Sequence, residues 1–113
     1  MLLDILQYIA CGATVLVGVV PLIAPRSVEG FTGLKAPGPR GVTELRAVMG
    51  GFFIALGLAP LLFQADAAFK MLGMAYLVVG GIRAVSIFID RSMEQSNLIS
   101  LLTEVVLGIV LVL

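Results

Sequence analysis

Histidine is absent from this chain of 113 residues, cysteine occurs once, and only 12% of the residues are charged. Without an imidazole, histidine-based acid or base chemistry is excluded. A single thiol, Cys11, cannot close a disulfide within one chain. The same two shortages remove the usual ligands of zinc, copper and haem. A carboxylate-held cation would have no ligand motif behind it, so neither metal nor cofactor is expected. Seven Lys/Arg balance seven Asp/Glu. That leaves no basic surface for a phosphate backbone and argues against nucleic acid as a partner.

The low charge matters most. Soluble domains are roughly half apolar and about a quarter charged, whereas this chain is 60% hydrophobic. So short a chain lacks the polar groups to cover a water-facing surface. The composition therefore predicts an all-α integral membrane protein with the lipid bilayer as its surroundings.

Crossing the hydrocarbon core takes about 20 apolar residues. Four runs qualify, at about 5–24, 43–64, 67–89 and 93–113. Residues 1–113 are then expected to form one four-transmembrane-helix bundle. The first run has Asp4 in place of a basic cluster and no small-residue cleavage site, so it reads as a retained helix rather than a signal peptide. Its polar and small residues Gln7, Cys11, Thr14, Gly18 and Pro21 fall on one line at helical spacing.

Between the first two runs, Val28, Phe31 and Leu34 alternate with Arg26, Glu29 and Lys35. This suggests a short amphipathic segment lying in the interface, weakened by Gly30 and Gly33. Pro37-Gly38-Pro39 is expected to be non-helical, with Thr43 capping the second helix. Pro60 should kink that helix, and Ser92 to Gln95 reads as a capping box before the fourth.

Short connections make spans two, three and four antiparallel neighbours. Loops one and three carry Arg26, Lys35, Arg40 and Arg91, against Lys70 on the other side. The positive-inside rule then puts those loops in the cytoplasm and both termini outside.

Four charges fall inside the runs: Glu44, Arg46, Arg83 and Glu104. At ~1.5 Å per residue, Arg83 lies roughly 10 Å before the end of its helix at Asp90, and Glu104 about as far beyond Asn97. Arg46 is a few residues into span two on the same side. Each such charge costs about 2.5–3.5 kcal/mol at mid-helix. Pairing within a cluster is expected, with Arg83 and Glu104 as its deep pair. Glu44 and Arg46 point to different faces, so one joins the network and the other snorkels. Gly50-Gly51 and Gly80-Gly81 lie close to the arginines and are expected to be packing surfaces for spans two and three. The alternative is that they leave room for a ligand. The cluster itself is either a structural network that fixes helix register or a binding or translocation site.

Glu44-x-Arg46-x-x-x-Gly50-Gly51, Gly80-Gly81-x-Arg83 and Glu104 together resemble a family of small bacterial four-helix membrane proteins known only as a domain of unknown function. The resemblance runs over nearly the whole chain. In architecture alone the chain is also similar to DoxX-type four-helix proteins. The resemblance implies a bacterial inner-membrane location and brings no activity with it.

Several functions fit these residues. One is a non-enzymatic bundle whose charge cluster binds a small amphiphile, an anionic group or a membrane partner protein. Another is an oligomeric small-molecule or proton-coupled transporter, with Glu104 titrating beside Arg83. A third is an accessory subunit of a larger membrane complex. An enzyme could use Glu44 and Glu104 as acid and base, but no nucleophile, metal or cofactor motif accompanies them, and the reading leans away from it.

Overall fold

A computed structural model describes residues 1–113. The chain is all α, and four of its helices are long and apolar enough to cross a membrane. They are α1 (Leu2–Ile23), α2 (Pro39–Phe63), α3 (Asp66–Ile89) and α4 (Gln95–Val112). The helix starts differ from the expected runs by three residues at α1, four at α2 and two at α4. The last two have a local cause.

Helix α2 begins at Pro39 rather than Thr43. Gly38 takes the extended cap conformation and Pro39 occupies the first helical position, where its missing N–H costs nothing. The expectation of a non-helical Pro39 and a Thr43 cap is thus corrected. Thr43 lies inside the helix, and its hydroxyl donates to the Pro39 carbonyl at 3.2 Å. Helix α4 starts at Gln95, with Glu94 as an extended cap residue whose side chain makes no capping bond. The expected box from Ser92 does not form, because the Ser92 hydroxyl oxygen instead accepts from the Asn97 amide.

A further departure lies inside α2. Leu45–Phe52 is wound as a π-helix, a rare geometry that recurs at functional sites. It covers Arg46, Gly50 and Gly51. Pro60 sits in the regular α-helical stretch Phe53–Phe63 that follows.

The connection from α1 to α2 is ordered by its own side chains. A 3-10 turn, Pro25–Val28, leads into one helical turn, Glu29–Thr32. Gly33 ends that turn at φ 78°, the left-handed conformation that glycine adopts without a Cβ penalty. The peptide of Ala36 is then held from both sides. Its carbonyl accepts from Arg26 Nη1 at 2.6 Å, and its N–H donates to Glu29 Oε2 at 3.0 Å. Phe31 and Leu34 stay exposed.

Contacts gather into two groups of residues, Cys11–Gln64 and Met1–Ala10 with Ala65–Leu113. In the first group α1 and α2 approach backbone to backbone. A Cβ on Gly18 would lie 2.6 Å from the Gly50 carbonyl oxygen, and one on Gly57 would lie 2.6 Å from that of Cys11. Cys11, Thr14, Gly18 and Pro21, on the polar and small line of α1, are all buried.

In the second group α3 and α4 run antiparallel along another seam of small residues. A Cβ on Gly73 would meet Leu111 Cβ at 2.8 Å and the Gly108 carbonyl at 3.0 Å. The start of α1 joins this group. Gln7 Nε2 donates to the Val110 carbonyl at 3.1 Å, and the rings of Tyr8 and Phe69 meet at 5.9 Å, tilted by 55°. Beyond these seams the helices present Leu16, Leu62, Phe63, Met71, Val85 and Phe88 outward.

Candidate functional site

The turn from α3 to α4 sets up the site. Helix α3 closes with the Asp90 N–H donating to the Ser86 carbonyl and the Ser92 N–H donating to the Ile87 carbonyl. Arg91 supplies the left-handed residue between them, at φ 52°, where glycine is the usual choice. This tight closure returns α4 along α3, so Asn97 and Glu104 face back towards Arg83.

Arg83 grips Glu104 with one edge of its guanidinium. Nε donates to Oε1 at 2.7 Å, and Nη2 donates to Oε2 at 2.8 Å. This two-bond fork is the strongest arrangement available to an arginine and a carboxylate. Nη1 donates to Asn97 Oδ1 at 2.8 Å. Asn97 passes the contact on, since its Nδ2 donates to the Ser92 carbonyl at 2.9 Å and to the Ser92 hydroxyl oxygen at 3.1 Å. Three of the five guanidinium N–H groups are engaged, and the side chain remains 31% exposed while that of Glu104 is 11% exposed.

Gly80 completes this arrangement. A Cβ there would sit 3.5 Å from Glu104 Cβ and 4.0 Å from its Oε1, which is ordinary contact. Gly80 therefore lies over the glutamate one turn before the arginine. Gly50 faces Gly18 and Leu22 of α1. Of the four glycines expected to pack spans two and three together, Gly50 thus packs against span one and Gly80 against span four. Gly81 meets nothing within 4 Å, and Gly51 meets only the Arg46 carbonyl of its own helix. The expected partners change because each glycine belongs to a seam with the adjacent helix in sequence.

Of the four span charges, the structure brings together Arg83 and Glu104. Glu44 is exposed and accepts from Arg40, one turn earlier on the same helix. Arg46 is exposed at the start of the π stretch and makes no ion pair or side-chain hydrogen bond.

Beside the network lies an open groove of about 370 Å³, lined by Val79, Ile82, Arg83, Ser86, Asp90, Ser92 and Asn97. Its walls grade from apolar to polar along α3. Val79 and Ile82 lie towards the middle of the helix, Ser86 one turn on, and Asp90 at the end. The eleven steps from Val79 to Asp90 span about 16 Å of helix axis. Asn97 and Ser92 in the network, and Val79, Ile82 and Ser86 in the groove wall, are members of the site that hydropathy and charge did not single out. The available signal was that Asn97 shares a face with Glu104, seven residues away.

This geometry can hold a polar group against the free guanidinium edge and an apolar one against Val79 and Ile82. No set of three His, Cys, Asp or Glu side chains is grouped to hold a metal ion. Comparison with curated proteins and with solved structures gave no match. The family model for a domain of unknown function, DUF4345, matches residues 2–113, and the chain belongs to that family.

Proposed function

We propose that this chain is a non-enzymatic membrane protein whose Arg83 groove binds the polar head of a small amphiphile. The observation behind the reading is the pairing of two free guanidinium N–H groups with an apolar wall in one groove. Arg83 is already oriented by Glu104 and Asn97, so little side-chain freedom is lost when a ligand docks. The Ser86 hydroxyl makes no hydrogen bond in the protein and adds a donor for a phosphate or carboxylate oxygen. The proposal sets the protein in a bacterial inner membrane. The excess of basic residues near the Asp90–Glu94 turn and the α1–α2 connection favours the cytoplasmic side for both.

Native mass spectrometry of the protein in mild detergent tests the reading. The wild type should carry amphiphile adducts that survive gentle activation, and Arg83→Met should lose most of them while keeping its helical circular dichroism. Equal retention by the folded variant would overturn the proposal. The carrier reading has less support, because both Glu104 oxygens are engaged by Arg83 and a transported proton would have to displace that fork. A partner protein docking at the same groove is the third reading, and co-purification of a stoichiometric protein in place of lipid would favour it.

A further inference from the structure

Asp90 is the one member of the groove that an anion-binding site does not need. It lines the groove, and its carboxylate makes no ion pair or hydrogen bond. The positive charge of Arg83 is already offset by Glu104. Of the residues that line the groove only Arg83 and Asp90 are charged, and because Glu104 already engages Arg83, the Asp90 carboxylate is left without a countercharge. A purely anionic headgroup would find the Arg83 donors but also meet an uncompensated carboxylate. A ligand with both signs would satisfy both ends.

We infer, on the footing of the amphiphile reading above, that the groove selects a headgroup in which a phosphate ester is joined to a primary ammonium, that is, phosphoethanolamine. The phosphate takes the free Arg83 N–H groups and the Ser86 hydroxyl. The ammonium reaches outward to Asp90, and the Ser92 hydroxyl lies beside it. The acyl chains follow Val79 and Ile82 towards the middle of α3. The order of the groups along the groove matches the order along such a lipid: tail, phosphate, amine. Arg83 and Asp90 are seven residues apart on one face, about 10 Å along the axis. The guanidinium reaches towards Asn97 and so shortens that gap. A quaternary ammonium is disfavoured because it has no N–H to donate and no aromatic side chain lines the groove to form a cage. Arg91 adjoins Asp90 in sequence, but its side chain is not part of the groove wall.

The test uses the full chain in detergent micelles, titrated with phosphatidylethanolamine, phosphatidylglycerol and phosphatidylcholine of identical acyl chains and read by native mass spectrometry. Wild type should hold phosphatidylethanolamine about tenfold more tightly than either of the others, the worth of one charge-assisted hydrogen bond. Asp90→Asn, an exposed substitution that leaves the Arg83 network intact, should reduce the preference to about twofold or less. Equal or tighter binding of phosphatidylglycerol, or an undiminished preference in Asp90→Asn, would overturn the headgroup inference while the amphiphile reading stands. Loss of all three lipids in wild type, or unchanged binding in folded Arg83→Met, would sink both. Displacement by soluble phosphoethanolamine at equal concentration would overturn the lipid as the source of the headgroup.

Discussion

At the residue scale the Arg83–Glu104 fork is both a candidate site and a structural tie, and the two roles respond differently to mutation. Breaking a fully buried pair costs about 3–5 kcal/mol because one charge is left stranded. Arg83 keeps 31% exposure, so Glu104→Ala should destabilise by about 2–3 kcal/mol, below that range. Replacing both partners with methionine should restore most of the lost stability while abolishing amphiphile binding. Thermal unfolding of the two single variants and the double variant, in one detergent, reads this directly. A double variant no more stable than the singles would show that the fork is not a self-contained unit. That Arg83 and Glu104 lie on the same side of their helices was legible in the sequence, because the rise per helical residue is constant; Arg83 lies seven residues before Asp90 and Glu104 ten after Glu94. Asn97 and Ser92 were not legible as part of the site. Ser92 looked like a cap, and only the tight closure at Arg91 shows its hydroxyl oxygen turned towards Asn97.

At the element scale the glycines divide into those that touch another backbone and those that do not. Gly57 and Gly73 have no room for a methyl group, with neighbours at 2.6 and 2.8 Å from the added Cβ. Alanine at either should force the helices apart and destabilise by about 1–3 kcal/mol, the usual cost of overpacking. Gly80→Ala, with its nearest neighbour at 3.5 Å, should fall within about 0.5 kcal/mol of wild type. Gly81→Ala should be neutral or slightly stabilising through helix propensity. Melting temperatures of the four variants test the ranking, and a severe Gly80→Ala defect would contradict the geometry. Helix positions were largely legible because lipid-length apolar runs leave little choice. The start at Pro39 was missed because the same proline that bars a helix interior suits a first turn. The π stretch at Leu45–Phe52 leaves no trace in hydropathy, and the close approach of Gly50 to α1 is visible only once the helices are packed.

At the scale of the whole molecule the chief fact is how much apolar surface faces outward. The apolar windows of the four long helices are only 11–28% buried. In water such a surface would drive association, since soluble proteins rarely expose large contiguous apolar patches. In a bilayer, as proposed, it is the expected exterior. The protein should therefore partition with membranes through high salt and carbonate washes and require detergent for extraction, as fractionation followed by immunoblotting would reveal. Release by salt alone would rule out spanning helices. Placement of the turn can be checked in the same membranes. On a Cys11→Ala background, a cysteine at Arg91 should react with an impermeant maleimide only in inverted vesicles. Labelling in right-side-out preparations would reverse the proposed orientation. That four helices would be long and apolar enough to cross a membrane was legible from composition. Which helices share a seam was not, because glycine spacing says that a close approach occurs but does not identify the neighbour.

Cys11 is the chain's one thiol, is fully buried, and has its carbonyl where a Cβ on Gly57 would collide. It therefore works as a built-in clock. Its rate of alkylation measures how often α1 parts from α2, with no probe added and no second thiol to confuse the signal. Gly57→Ala should speed that clock, whereas Glu104→Ala, which loosens the α3–α4 pair, should leave it nearly unchanged. If both variants speed it equally, the two groups of contacts open as one cooperative unit.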